Sequence, residues 1–184
     1  TLMRSSAASD VYKRQVLCSS PDEAIKTADE YLASAGSDYD VVFFDLPGTV
    51  NSEGVIHSLS GMDYIFTPIA ADRVVLESSL SFAVAIHKLL VKNEACRLKG
   101  LHLFWNMVDG REKTDLYTLY EQTIGELELP LMKVFIPDTK RFKKELDAQR
   151  KTVFRSTLFP ADKRLVKGSN MEELITEIAY LIKL

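Results

Sequence analysis

Each of four short apolar runs in this sequence ends in polar or turn-forming residues, an arrangement suited to a nucleotide site. Val41-Val42-Phe43-Phe44 leads into Asp45-Leu46-Pro47-Gly48-Thr49, and the run beginning at Tyr64 closes on Pro68-Ile69-Ala70-Ala71-Asp72. A third run, residues 101–105, leads into Asn106-Met107-Val108-Asp109, and a fourth, residues 131–136, into Pro137-Asp138-Thr139. A carboxylate at the tip of a buried strand, as Asp45 would be, can hold Mg²⁺ through the ion's water shell. The turn after it would bring backbone N–H groups to a terminal phosphate. The same carboxylate could equally close a turn or cap a helix. Asn106 has two readings as well, an amide that contacts a purine edge or a strand-end residue that closes a turn.

The elements that must carry these residues follow from periodicity. All four runs are rich in β-branched and aromatic residues, which predicts strands, the first of them buried on both faces. Between them lie helical patterns over residues 73–93, 113–127 and 140–149. Ser20-Pro21-Asp22-Glu23 predicts a helix start, with a stop at Gly36. Ser169 with Glu172 predicts the cap of a final helix carrying Met171, Leu174, Ile175, Ile178 and Ile182 on one face. Strands alternating with helices of this length imply crossover connections and a parallel sheet. The expected fold is α/β and doubly wound, with a mostly parallel sheet and helices on both faces. Residues 1–15 lack apolar periodicity and read as a leader foreign to the domain, which then spans residues 16–184.

A length of 184 residues suits one domain, and 46% hydrophobic with 27% charged residues excludes a disordered or collagenous chain. The longest uncharged apolar stretch, residues 78–86, is far short of the roughly 20 needed to cross a bilayer, so no membrane span is expected. Cys18 and Cys96 make neither a disulfide framework nor a zinc site, in keeping with a reducing cytoplasm. His57, read as lying on a short turn, is joined to Ser58 without the G-x-S-x-G of a hydrolase elbow, and His87 and His102 are scattered. Trp105 reads as core or pocket wall. The net charge of −3 hides an uneven distribution. Residues 139–167 hold ten basic residues (Lys140, Arg141, Lys143, Lys144, Arg150, Lys151, Arg155, Lys163, Arg164, Lys167) against three acidic ones, a local +7 on a remainder of −10. Such a face suits phosphate backbones, and it also suits plain solvation.

Taken together, DYDVVFFDLPGTVN, DYIFTPIAADRVVLESSL, LFWNMVDGREKTDLY and VFIPDTKRFKKEL resemble the ParA/MinD family of P-loop ATPases. More narrowly, they resemble the ParA-like conjugal transfer proteins of Bacteroides-type elements. The resemblance covers residues 16–184 and implies a P-loop NTPase-like fold with ATP and Mg²⁺ as ligands. It makes Asp45 the Walker B aspartate near Mg²⁺ and Pro47, Gly48 and Thr49 the start of the switch that senses the γ-phosphate. Asn106 would contact adenine, and Pro137 and Asp138 would line the base pocket. The family works as an ATP-sandwiched homodimer that binds DNA non-specifically and answers to a partition or transfer partner. Lys140, Arg141, Lys143, Lys144, Arg150 and Lys151 would then contact DNA. One departure is plain: no G-x-x-x-x-G-K-[ST] loop occurs in these residues. The expectation is therefore the C-terminal two-thirds of such an ATPase, joined to an unrelated leader near Val16 and deficient in hydrolysis. Two other readings stand beside it. One is a GTPase, since Asp45-x-x-Gly48 and Asn106-x-x-Asp109 match loose motif outlines, although Met107 stands where Lys is usual. The other is a non-enzymatic α/β domain that binds DNA or a partner.

Overall fold

The computed structural model describes residues 17–35, 39–46, 53–93, 96–111, 114–143 and 163–184, so the expected leader lies outside the described residues. A 3₁₀ turn over Pro21–Glu23, with Pro at its start, runs into α1 (Ala24–Ala35) as the sequence predicts. The turn is tied to α2 (Glu53–Ser60), where the buried Ser58 hydroxyl donates to the Pro21 carbonyl. Gly54 permits that approach: a Cβ there would lie 1.1 Å from Asp22 Oδ1.

β1 (Tyr64–Ile69) and β2 (Gly100–Trp105) pair in parallel, from Tyr64 opposite Gly100 to Ile69 opposite Trp105. α3 (Arg73–Ile86) crosses between them and continues as a π-helical turn, His87–Val91. The Asp72 carboxylate caps α3 by accepting from the Val75 N–H at 3.0 Å. Strand alternation divides the core. Ile65, Ile69, Leu101, Leu103 and Trp105 pack with α2, with Leu76, Ala83 and Ile86 of α3, and with Ile124 of α4 (Thr114–Glu126). Phe66 and Phe104, on the other face, pack with Met132, Ile136 and with Leu174 and Ile178 of α6 (Met171–Ile182). The class is α/β, and helices cover both faces of this small parallel sheet. A short helix, α5 (Lys163–Val166), precedes α6.

Two of the four expected strands depart from the reading. Residues 131–137 run alongside β2 but form only isolated parallel bridges, Leu103 with Leu131 and Val108 with Pro137. Their outer segment is one residue longer than the β2 side, the signature of a bulge. α6 occupies the amides of the bulge. Glu177 accepts from the Lys133 N–H at 2.9 Å and the Val134 N–H at 2.8 Å, so neither amide bonds to β2. Asn170 adds a second tie, its side-chain amide donating to the Phe135 carbonyl at 2.9 Å. The bonds that survive bracket the bulge: Met132 N–H to the Leu103 carbonyl and Ile136 N–H to the Trp105 carbonyl, both 2.8 Å. Residues 41–46 form no strand, and none of their backbone groups bonds to a described residue. Phe43 is 51% exposed rather than buried. An apolar run becomes a strand only beside a partner, and here a cleft of about 1080 Å³ separates it from β1.

Smaller corrections concern caps and hydropathy. Asn170 immediately precedes α6, in the left-handed region with φ 56° and without a side-chain cap bond, while the Ser169 hydroxyl accepts from the Met171 N–H at 3.3 Å, so Ser169 caps the helix from one position further back. Ser169 is fully buried, and its hydroxyl donates to the Val166 carbonyl at 2.6 Å. Arg73–Val91 is long and apolar enough, by length and composition alone, to cross a membrane. Here Leu76, Ala83, Ile86 and Leu90 of that stretch pack into the core, and an Arg73–Glu77 ion pair sits on its outer side.

Removing the Glu177 carboxylate leaves two backbone donors in search of partners. Glu177→Ala is expected to cost about 1–2 kcal/mol in chemical denaturation, and amide exchange should accelerate at Lys133 and Val134; unchanged stability would contradict the clamp. A pH dependence also follows. His102 stacks on Phe66 (centroids 5.6 Å apart) and Tyr64 (6.4 Å), and burial holds its pKa below the usual histidine value against the opposing pull of Glu177. The native state therefore prefers neutral His102. Its contribution is complete above the ordinary histidine pKa and is lost as pH falls through and below that value. Denaturation at pH 7 and pH 5 should show this loss, flattened in His102→Leu; an identical slope in the variant would contradict it.

Candidate functional site

Parallel pairing brings the carboxyl ends of β1, β2 and residues 131–137 to one edge, where loops of an open α/β sheet bind ligands. Asn106 follows β2 directly, and its N–H donates to the Ile69 carbonyl at 2.7 Å, locking the two strand ends together. The Asn106 side-chain oxygen accepts from the Met107 N–H at 3.0 Å. Met107 itself is left-handed, with φ 55°, a strained conformation for a residue that is not glycine. One residue on, Val108 bridges Pro137 and its carbonyl accepts from the Asp138 N–H at 2.9 Å. Asn106 thus lies two residues before Val108, which the backbone joins to Pro137 and Asp138 at this edge.

The cluster holds one pair that the motif reading passed over. Arg111 donates from Nε (3.1 Å) and Nη2 (2.9 Å) to the two oxygens of Asp109, whose Oδ1 also accepts from the Arg111 N–H at 2.9 Å. These bonds hold the Asp109 carboxyl below the usual carboxylate range and raise the Arg111 guanidinium, which feels Asp138 as well. The signal was available in Asp109-Gly110-Arg111, an Asx-turn pattern with a cation two residues on.

Asp45 is exposed and lines the cleft with Thr67 and Pro68 of β1. No hydrogen bond or ion pair links it to the Asn106 cluster. No group of three His, Cys, Asp or Glu side chains able to hold a metal occurs among the described residues. A single exposed carboxylate suits only an outer-sphere role, in which waters and phosphate oxygens complete the Mg²⁺ octahedron. Pro47, Gly48 and Thr49 lie outside the described residues, as do Lys144, Arg150, Lys151 and the side chains of Arg141 and Lys143. Lys140 is exposed in the 3₁₀ turn Lys140–Lys143, two residues beyond Asp138, and Lys163, Arg164 and Lys167 are exposed beside α5.

Trp105 is core, 4% exposed, with Nε1 donating to Glu121 at 3.1 Å and its ring edge-on to Tyr117. His57 lies in α2 rather than on a turn, and the adjacent Ser58 hydroxyl is committed to the Pro21 carbonyl, so that pair makes no nucleophile. The described cluster offers an amide, backbone groups and charges that can hold a polar ligand.

The backbone strain at Met107 is testable. Its side chain is 60% exposed, so Met107→Gly sacrifices little burial and is expected to stabilise the fold by about 0.5–1 kcal/mol in thermal denaturation; a clear loss of stability would contradict a strained turn. No family model matches this chain, and no curated protein matches it.

Proposed function

We propose that these residues form part of the nucleotide-binding domain of a ParA-like ATPase, which binds ATP with Mg²⁺, and DNA, in partition or conjugative transfer of a mobile element. The observation that carries the reading is the meeting of the segments carrying Asn106, Pro137 and Asp138 at the carboxyl edge of a parallel sheet, with Asp45 lining the neighbouring cleft. The finer architecture that goes with it is the doubly wound P-loop NTPase-like sheet. In this reading the Asn106 amide and the Pro137 turn hold the adenine ring. Asp45 orients water around Mg²⁺, which when bound screens phosphate charge. The basic residues from Lys140 to Lys167 neutralise DNA phosphates. Homodimerisation and a stimulating partner belong to the same proposal, as does a cytoplasmic setting.

The guanine-reading alternative is disfavoured by geometry. Both Asp109 oxygens are occupied by Arg111, so that carboxylate is not free to read a base edge. Lacking a phosphate-binding loop, residues 1–184 are short of most of the amide and lysine contacts that grip a triphosphate.

Two outcomes are expected. Phosphate release from Mg-ATP should be negligible; turnover that Asp45→Ala abolishes would overturn the hydrolysis-deficient reading. Binding to random-sequence duplex DNA should weaken steeply with salt, and charge reversal at Lys143 and Lys144 together should lower the salt slope by about two. Unchanged DNA affinity in that variant would contradict a basic DNA-binding face. Affinity indifferent to ATP would favour a binding-only domain.

A further inference from the structure

A purine site has to tell adenine from guanine, and the Asn106 amide at the carboxyl end of β2 does not do so. Its side-chain oxygen is taken by the Met107 N–H at 3.0 Å, so what the amide offers a ligand is its NH2. Such a donor suits N7, an acceptor that both purines carry. Selection therefore falls to whatever meets the other edge of the ring. There guanine presents two adjacent donors, N1–H and the N2 amino group, while adenine presents the N1 lone pair beside its N6 amino group. A free carboxylate accepts from both guanine donors at once and repels the adenine N1.

Asp109 is a carboxylate three residues beyond Asn106, the spacing that suggests guanine, but in the fold it is not free. Arg111 donates to Oδ1 from Nε at 3.1 Å and to Oδ2 from Nη2 at 2.9 Å. The turn does not need this guanidinium. It is already closed by the Arg111 backbone N–H, which donates to Oδ1 at 2.9 Å and is present whatever side chain stands at 111. The core does not need it either, since the Arg111 side chain is 91% exposed. What the guanidinium adds is occupation of both carboxylate oxygens and neutralisation of their charge. The same cation also attracts Asp138, a second carboxylate on the neighbouring segment.

We propose that Arg111 sets base selectivity at this site: by holding both oxygens of Asp109 it withholds that carboxylate from the guanine edge and leaves the pocket to adenine. Arg111 is a positioning residue, acting through Asp109 without touching the base. The inference rests on the nucleotide reading and deepens it, from where a nucleotide binds to which base it carries.

The test is a titration of the whole chain with Mg-ATP and with Mg-GTP, followed by NMR shifts of the backbone amides of residues 106–111, Ile136 and Asp138, a readout that reaches millimolar affinity. The unaltered chain is expected to prefer ATP. Arg111→Met should move the ratio of GTP to ATP affinity toward GTP by about tenfold or more. Adding Asp109→Asn should abolish that gain, because an amide offers a single acceptor oxygen. A merely structural role for Arg111 would change both affinities together and leave their ratio alone. An unchanged ratio in Arg111→Met, with ATP still bound, would overturn the proposal and leave the nucleotide reading standing. So would a GTP gain that survives Asp109→Asn, which would assign it to another group such as Asp138, or a preference for GTP in the unaltered chain. Unfolding of Arg111→Met would overturn it too, since the backbone bond is held to keep the turn without the guanidinium. Shifts with neither nucleotide in any of these proteins would overturn the nucleotide reading itself, and this inference with it.

Discussion

Every N–H and C=O in a sheet needs a partner, and the architecture of this chain follows from how the β1–β2 ladder meets that demand at its two margins. On the β2 side the demand is met by a neighbouring backbone and by a helix carboxylate. Residues 131–137 supply ladder bonds at their ends, and where the bulge lifts Lys133 and Val134 away, Glu177 of α6 takes over both amides. A helix side chain completing a strand edge fixes helix and sheet to one another, and the Met132, Ile136 and Leu174 cluster grows around that joint. On the β1 side no described residue performs this service.

The same ladder positions the candidate site. Because the pairing is parallel, chain ends that are distant in sequence arrive at one edge: Ile69 bonds Asn106, Val108 bonds Asp138, and the turn between them is tight enough to force Met107 into a left-handed conformation. The Asp109–Arg111 pair then fixes the loop beyond it. Precision at this edge is thus inherited from backbone geometry rather than from a dedicated set of side chains. Asp45 stands outside this locked group, on a segment that has no ladder bond.

The elements most legible in the sequence were those whose signals are local. Pro21 opened the first helix, Asp72 capped α3, and the apolar runs at β1 and β2 were strands because each is the other's partner. What local reading missed depends on distant groups. Nothing within residues 131–136 announces that Glu177, more than 40 positions later, will compete for their amides. Residues 41–44 have the composition of a buried strand, yet composition cannot supply a neighbour. Ser169 serves α6 as a cap from one position further back than expected, and the intervening Asn170 reaches across to the Phe135 carbonyl. At the proposed site, strand-end logic singled out Asn106, Pro137 and Asp138 as candidates, while Arg111 escaped because its bonds to Asp109 are set by a turn rather than by a strand tip.

The central proposal is that an adenine ring binds at the carboxyl end of β2. Photolabelling the chain with an 8-azidoadenine nucleotide and mapping the modified peptides addresses this directly. The account predicts label within residues 106–111 and 137–139, competed by ATP and not by GTP. Label confined to α4 or α6, or label indifferent to competing ATP, would contradict it.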